Sequence, residues 1–265
     1  MIASIASIES YPDLATSEAE YVLLPDVIFL TVEDGSARLL NMGGGFHAMP
    51  AVGARMLRET LANGTAAAVA RIAADYGVTH EQLQGDLTLF LRDLESQGLL
   101  RSRGNREDRR SVRLGLARLL LAPAIHGTHR CLRSPEAKAR VLLSLARLSF
   151  AAFGWTPTVA VWRKAHAHLP VRQAGAGDAG TISALDRIVR TSAASHPVAV
   201  ACKERALCSF SLARAAGLHA SIVVGVDLFP ITGHCWCEVG THALGDNRTR
   251  CDTFTPVARW DNNET

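Results

Sequence analysis

The sequence predicts an α+β chain of two domains: a small antiparallel sheet with three helices, then a helical segment leading into a domain that ends in strands. Three observations predict this arrangement. Short β-like runs with a turn signal occupy residues 21–41, and segments of helical periodicity follow to about residue 98. A helix near residue 200 is then followed by alternating strands. The 265 residues are enough for two domains of ordinary size.

The first domain begins with a hairpin. Residues 27–33 (VIFLTVE) and 36–41 (SARLLN) flank Asp34-Gly35, a two-residue turn signal. Residues 21–24 are expected to add a third strand. The triplet 43–45 (GGG) lacks the following Lys-Ser/Thr of a phosphate-binding loop, so we expect a flexible turn there.

Three short helices complete this domain. The first is expected to begin at Pro50 and to end near Gly64, and the second, with Thr65 as its cap, to end at Gly77. The third begins with a capping box at Thr79. Its apolar stripe keeps one helical face and consists of Leu83, Leu87, Phe90, Leu91 and Leu94. Residues 21–100 are therefore predicted to form a winged-helix-like module, and residues 1–20 to lie outside it.

A linker is expected at residues 101–113, because the stretch 101–118 holds seven arginines against Glu107 and Asp108. The second domain, residues 114–265, begins with a Leu-, Ala- and Arg-rich helical segment that runs to about residue 168. Its further predicted elements are a loop at 173–180, a helix at 200–216 and strands at 220–226, 234–239 and 243–246.

Composition argues against several classes of protein. The net charge of +3 does not imply a nucleic-acid partner, and no apolar segment is long enough for a spanning helix. The N-terminus lacks the positive region of a secretion signal, so a cytoplasmic location is expected. The six cysteines include no CxxC pair, and reduced thiols are expected rather than a disulfide framework.

Cys202 is the candidate nucleophile. It lies near the start of the predicted helix, where free backbone N–H groups and a partial positive charge favour a thiolate. The same amides can donate to an oxyanion during acyl transfer. A lone cysteine on an alanine-rich helix is more often structural, and Cys208, beside Leu207, fits that interpretation better.

His234 is the candidate base. Strand alternation in GHCWCEV places His234, Trp236 and Glu238 on one face and Cys235 and Cys237 on the other. A zinc site at His-Cys-x-Cys would need all three side chains to converge, so we expect no metal. The two thiols are expected to pack in the core.

Asp246 is the candidate third member, ending the next strand, with Asn247 and Asp252 as nearby competitors. A carboxylate there can fix the tautomer of the histidine. A cysteine opening a helix, a histidine on a strand 32 residues later and an aspartate 12 residues beyond that is the layout of papain-like and transglutaminase-like thiol chemistry. This chemistry needs no cofactor.

Residues 202–260 resemble the leader peptidases of lasso-peptide biosynthesis, a transglutaminase-like group. The shared motifs are residues 202–207 (CKERAL), 217–226 (GLHASIVVGV), 234–239 (HCWCEV) and 245–246 (GD). Departures are Cys235 and Cys237, where Ala and Val are usual in that group, and Gly245, where Asn is common. The resemblance implies a cysteine peptidase (a hydrolase) that removes the leader during the biosynthesis of such antibiotic-type peptides.

Residues 21–100 look like the small PqqD-like recognition element that binds leaders in many ribosomal peptide pathways. The resemblance implies that the leader adds as a strand beside the third strand and third helix. The implied groove residues are Arg38, Leu39, Leu40, Asn41, Asp86, Leu87, Phe90 and Leu94. The implied partners are the precursor peptide and an ATP-dependent, asparagine-synthetase-like cyclase.

Two other functions stay open. One is a winged-helix regulator with a thiol sensor, although residues 81–96 carry four acidic side chains against one arginine, which would oppose docking on DNA. The other is acyl transfer without hydrolysis, since both reactions pass through a thioester. The sequence does not give the core peptide, the cleavage site or the oligomeric state.

Overall fold

A computed structural model describes residues 5–9, 20–103 and 108–261 of the chain. The chain divides into two compact units, Met1–Glu107 and Asp108–Thr265. Both units combine helices with antiparallel sheet, so the predicted α+β class is confirmed. Among the described residues, no helix has the length and apolar character needed to cross a membrane.

The first unit contains a four-stranded antiparallel sheet with β4 in its interior. The strands lie in the order β1 (Ile5–Glu9), β3 (Val27–Val32), β4 (Ala37–Asn41) and β5 (Gly45–Met49). The hairpin between β3 and β4 turns at Gly35, whose φ of 81° suits glycine. A separate two-stranded sheet pairs β2 (Tyr21–Leu23) with β6 (Leu100–Ser102).

Three of these strands differ from the sequence-based expectations. A strand does form at Tyr21–Leu23, within the predicted range 21–24, but it pairs with β6 and does not extend the hairpin. Part of the N-terminal segment, β1, is a strand on β3. The glycine triplet does turn the chain, yet Gly45 already begins β5, which pairs along the whole of β4.

The three helices of this unit are α1 (Ala51–Asn63), α2 (Thr65–Tyr76) and α3 (His80–Ser96). Thr79 caps α3 as predicted, because its side chain accepts from the Gln82 amide. Thr65 does not cap α2: Gly64 holds that position, and the Thr65 hydroxyl donates to Glu20. The helices and strands share one apolar core, which includes Val27, Phe29, Leu39, Leu57, Ile72, Leu87, Leu91 and Leu94.

The predicted linker at 101–113 is shorter in the structure. Residues 101–102 belong to β6, and helix α4 (Asp108–Cys131) begins inside the arginine-rich stretch. Arg101 pairs with Val22 and Ser102 with Tyr21, so these two residues belong to the first unit.

The second unit is built around helix α8 (Cys202–Ala215), which is buried along most of its length. It packs against α5 (Pro135–Phe153), α6 (Trp155–Ala165) and α7 (Ala179–Ala194). Helix α7 was not predicted. The expected loop at 173–180 contains a short 3-10 turn, and the start of α7 overlaps its last two residues.

A buried polar network joins α4, α6 and α8. The Ser211 hydroxyl lies 2.8 Å from Nε2 of His166 and 2.9 Å from Nε2 of His129. The two imidazoles meet edge to face, and Arg214 donates to the backbone carbonyl of His166. Burial lowers the pKa of His166 to about 3, with nearby His129 and Arg214 acting in the same direction. His166 is therefore neutral in the folded chain at ordinary pH.

The sheet of the second unit is antiparallel, in the order β10 (Thr255–Trp260), β7 (Ser221–Leu228), β8 (Ile231–Val239) and β9 (His242–Leu244). Strand β8 packs on α8, so it carries side chains toward the start of that helix. A short helix, α9 (Arg248–Cys251), connects β9 to β10. Strand β10 was not predicted.

Candidate active site

Cys202 is the first residue of α8, and hydrogen bonds hold the chain around it in place. The Glu204 carboxylate accepts from the Ala201 amide at 2.8 Å, which closes the first turn of the helix. Arg147 donates to the Ala199 carbonyl at 2.9 Å and lies 3.8 Å from Glu204. Because Glu204 is buried, these bonds fix the position from which the thiol projects.

The structure brings Cys202, His234 and Asp246 together. The Cys202 thiol lies beside the His234 side chain, close enough for each to shift the pKa of the other. Nε2 of His234 lies 2.9 Å from Oδ2 of Asp246. His234 and Asp246 are only 4% and 6% exposed, whereas Cys202 is half-buried. The thiol is thus the member of the group that faces solvent.

The hydrogen bonds in this group favour a charged thiolate–imidazolium pair. Burial alone would raise the pKa of Cys202, but bonds from His234 and from the backbone amides of Cys235 and Lys203 outweigh it and lower that pKa. Burial alone would lower the pKa of His234, but its bonds to Asp246 and Cys202 raise it to about 9. The arrangement can therefore supply a nucleophilic sulfur at neutral pH.

Asp246 lies just beyond β9, after a left-handed turn at Gly245 (φ 76°). Its Oδ1 accepts from the Asn247 amide at 2.8 Å, and Arg205 lies 3.4 Å from Oδ2. Burial opposes ionisation, but the bonds from His234 and Asn247 outweigh it and lower the pKa of Asp246. The carboxylate stays ionised and holds one ring nitrogen of His234, as a tautomer-fixing partner must.

The His234 ring is held between two aromatic rings. Phe254 and Trp236 stack on it with centroids 5.0 and 5.9 Å away. Gly225 pairs opposite His234 on β7, and a Cβ there would lie 2.7 Å from the Trp236 ring and 2.9 Å from Cβ of Phe254. Glycine is needed at 225 because the rings fill the space above it.

Cys235 and Cys237 occupy the face of β8 opposite His234. Trp236 stacks on His234 and donates to Glu238 at 2.9 Å, so these three side chains share a face, as predicted from strand alternation. Both thiols are buried, and burial raises their pKa values well above the ordinary range. They are unreactive core residues in this arrangement.

A metal ion could be considered at one cluster among the described residues. Ligand atoms of His234, Asp246 and Cys251 lie within 4.8 Å of one another. The Asp246 oxygen already bonds to His234, and the Arg205 guanidinium beside it opposes a cation. The cluster therefore fits a hydrogen-bonded ion pair better than a resident metal site.

The two competitors of Asp246, and two further histidines of the second unit, make other contacts or are exposed. Asp252 pairs with Arg248, and Asn247 caps α9 by accepting from the Thr249 amide. His196 lies 2.9 Å from Ser144 Oγ, and His242 is exposed on β9. None of these four residues contacts Cys202 in the described structure.

Sequence reasoning missed four residues that support the site. Arg205 entered the sequence analysis only as part of the motif at residues 202–207, and Glu204 was given no role. Asp186 and Arg190 on α7 contact the backbone at Gly245 and Asp246. Charged residues four positions apart, such as Asp186 and Arg190, are typical of any exposed helix and do not indicate a functional site. The only signal in the sequence was the C-x-x-R motif that begins at Cys202, and it pointed to Arg205.

The predicted leader groove needs correction. Strand β4, with Arg38, Leu39, Leu40 and Asn41, pairs with strands on both sides, so its backbone cannot accept an added strand. Leu39, Leu40, Leu87 and Leu94 are buried, which removes them from any ligand surface. Asp86 is exposed and Phe90 half-buried, so these two α3 side chains remain accessible.

Among the strands that the structure describes, β5 forms the edge of this sheet that lies beside α3 and has no partner on its outer side. A Cβ at Gly53 would lie 3.0 Å from Met49 of β5 and 3.7 Å from the Phe90 ring, so this end of β5 lies next to α3. Leu89, adjacent to Phe90, is 66% exposed. The edge was missed because β5 itself was not predicted.

Two protein-family models match the chain. Residues 32–100 match the model for Coenzyme PQQ synthesis protein D (PqqD). Residues 139–259 match the model for the Transglutaminase-like superfamily, and that range contains Cys202, His234 and Asp246. Searches of curated proteins and of solved structures found no significant match.

Proposed function

We propose that this chain, whose two family matches fit the architecture of a lasso-peptide B protein, is a cysteine peptidase that separates leader from core in a lasso-peptide precursor. A PqqD-like peptide-binding domain joined to a transglutaminase-like domain supports a role in leader processing. The observation that carries the cleavage step is the grouping of Cys202, His234 and Asp246, in which the thiol lies beside a histidine that is hydrogen-bonded to the carboxylate.

Cys202 attacks the scissile carbonyl as a thiolate. A bond forms between sulfur and the carbonyl carbon, and the carbonyl oxygen becomes an oxyanion. The amides of Lys203 and Cys235 are close enough to the thiol to lower its pKa, so they lie near the place where that charge develops. They are the donors we assign to the oxyanion.

His234 moves the proton in both halves of the reaction. As the tetrahedral intermediate collapses, the imidazolium gives its proton to the leaving amine, which becomes the N-terminus of the core. The leader remains as a thioester on Cys202. Water, deprotonated by His234, then releases the leader as a carboxylate and restores the thiol. Asp246 keeps the ring oriented throughout.

The leader binds, in this proposal, along the free edge of β5. Strand addition supplies backbone hydrogen bonds, and side chains on the neighbouring helix supply selectivity. The half-buried Phe90 and the exposed Leu89 and Asp86 offer an apolar contact with an acidic rim. The freed core amine then passes to a separate, ATP-dependent, asparagine-synthetase-like cyclase, and we place the whole process in the cytoplasm.

Mass spectrometry of a lasso-type precursor peptide incubated with the chain tests the cleavage step. We expect Cys202→Ala to abolish cleavage while a fluorescently labelled leader still binds. The matched control is Cys237→Val, which replaces a buried thiol with an apolar side chain of similar size on the face of β8 opposite His234. Cleavage by the Cys202→Ala variant would refute the proposal.

Leader binding is tested separately on α3. Phe90→Ala is expected to weaken leader binding about tenfold, in line with loss of a half-buried aromatic contact. The control, Thr88→Ala, removes an exposed side chain from the other side of the same helix. Equal affinity of both variants and the parent chain would move the leader away from this edge.

A further inference from the structure

Helix α7 binds the backbone turn that carries Asp246. Oδ1 of Asp186 accepts from the Gly245 amide at 2.8 Å, and Arg190 donates to the backbone carbonyl of Asp246. The two side chains also bind each other, with Nε of Arg190 2.7 Å from Oδ2 of Asp186. Val189 of the same helix packs against Gly245, where an added Cβ would lie 2.8 Å from its methyl group.

The turn needs such support because the sheet does not fix it. The β8–β9 ladder ends with the pair Cys237 and Leu244, so Gly245 and Asp246 lie beyond the last strand pairing. Gly245 also has a left-handed backbone conformation and, as a glycine, has no side chain that would restrict it. The direction of the Asp246 carboxylate therefore depends on contacts outside the sheet.

We propose that Asp186 and Arg190 are positioning residues that hold the Asp246 carboxylate against Nε2 of His234. Neither residue touches a reacting atom. Each makes one bond to the turn and one to its partner, so the pair binds the backbone of two consecutive residues, Gly245 and Asp246. The effect on peptide cleavage rests on the proposed peptidase function, but the effect on the His234–Asp246 contact does not.

The alternative is that Asp186 and Arg190 form a surface ion pair that only stabilises α7. Exposed pairs spaced i,i+4 contribute little to stability, and both side chains are partly exposed here. A stabilising pair would affect unfolding without changing the chemistry of Cys202. A positioning pair changes the reactivity of Cys202, because a displaced Asp246 no longer stabilises the His234 imidazolium that faces the thiolate.

The first experiment measures alkylation of Cys202 in the full chain, with iodoacetamide as the probe and mass spectrometry of the Cys202-containing peptide as the readout. Arg190→Met is expected to lower the rate at pH 7 about tenfold, the effect of weakening one charge-assisted bond. The control is Arg187→Met, on the exposed face of the same helix. Equal rates for the Arg190 and Arg187 variants would overturn the proposal.

A conservative series at position 186 separates positioning from folding. Asp186→Asn keeps an oxygen for the Gly245 amide, so we expect it to retain more reactivity than Asp186→Ala. Both lose the charge that faces Arg190, so their unfolding temperatures should differ only by the effect of the single bond to the Gly245 amide, whereas their reactivities should differ several-fold. Reactivity that simply follows the unfolding temperature across the series would argue for a structural role alone.

A double-mutant cycle then tests whether Arg190 acts through Asp246. In an Asp246→Ala background, Arg190→Met is expected to lower the alkylation rate less than twofold, because its target is gone. An unchanged tenfold effect would contradict the proposed route. If the parent chain cleaves no precursor but the alkylation cycle behaves as expected, the peptidase proposal fails while the positioning inference stands.

Discussion

His166 makes the second unit sensitive to acid, and His166→Gln should remove much of that sensitivity. The imidazole is buried among α4, α6 and α8, with His126, His129, His168 and Arg214 nearby. Its pKa falls from 6.5 to about 3 in the folded chain. Below pH 6.5 the unfolded chain therefore binds a proton at His166, whereas the folded chain does not bind it until the pH approaches 3.

The sign and size follow from this difference. Stability contributed by the neutral ring is complete above pH 6.5 and is lost as the pH falls from 6.5 toward 3. Each pH unit in that window costs about 1.4 kcal/mol. Between pH 8 and pH 5 the free energy of unfolding should therefore drop by about 2 kcal/mol more in the parent chain than in His166→Gln. His234 also titrates, but both proteins retain it, so its contribution cancels.

Urea unfolding followed by tryptophan fluorescence measures this difference selectively. All four tryptophans, at positions 155, 162, 236 and 260, belong to the second unit, so the signal does not report the first. His242→Gln, which removes an exposed imidazole from the same unit, is the control. If the parent chain and His166→Gln lose the same free energy between pH 8 and pH 5, the reasoning about burial is refuted.

Three further predictions concern the site. His234→Ala should slow alkylation of Cys202 at pH 7 by up to about thirtyfold, because an ordinary thiol is only a few per cent thiolate there; an unchanged rate, read by mass spectrometry, would exclude the ion pair. Gly225→Ala should displace the Trp236 ring and destabilise the second unit by about 1 to 3 kcal/mol in urea unfolding, and an unchanged midpoint would contradict the packing argument. Gly245→Ala should lower precursor cleavage more than leader binding, since it strains the turn before Asp246; equal losses in both assays would count against that explanation.

The elements with strong local signals were predictable from sequence. Thr79 and the leucine stripe located α3, and alternation in GHCWCEV placed His234 and Cys235 on opposite faces of β8. Cys202 at a helix start, followed by a histidine strand and an aspartate, was enough to nominate three residues that the structure places in contact.

The missed elements had weak or misleading local signals. β5 (GFHAM) begins with glycine and lacks clear alternation, so the edge strand was read as part of a turn. β10 contains Pro256, which is tolerated at a sheet edge but argues against a strand in sequence. The contacts of Asp186 and Arg190 are long-range, and no local pattern encodes a helix side chain that binds a distant backbone turn.

The uneven burial of the thiols has a practical consequence for labelling. Of the six cysteines, four are enclosed in the fold, Cys131 is exposed and Cys202 is half-exposed at its helix start. Replacing Cys131 with serine would leave one accessible thiol, already in its reactive form. A dye or affinity tag carrying a mild electrophile would then attach at a single known point, so occupancy of the site could be counted molecule by molecule without any knowledge of the natural peptide.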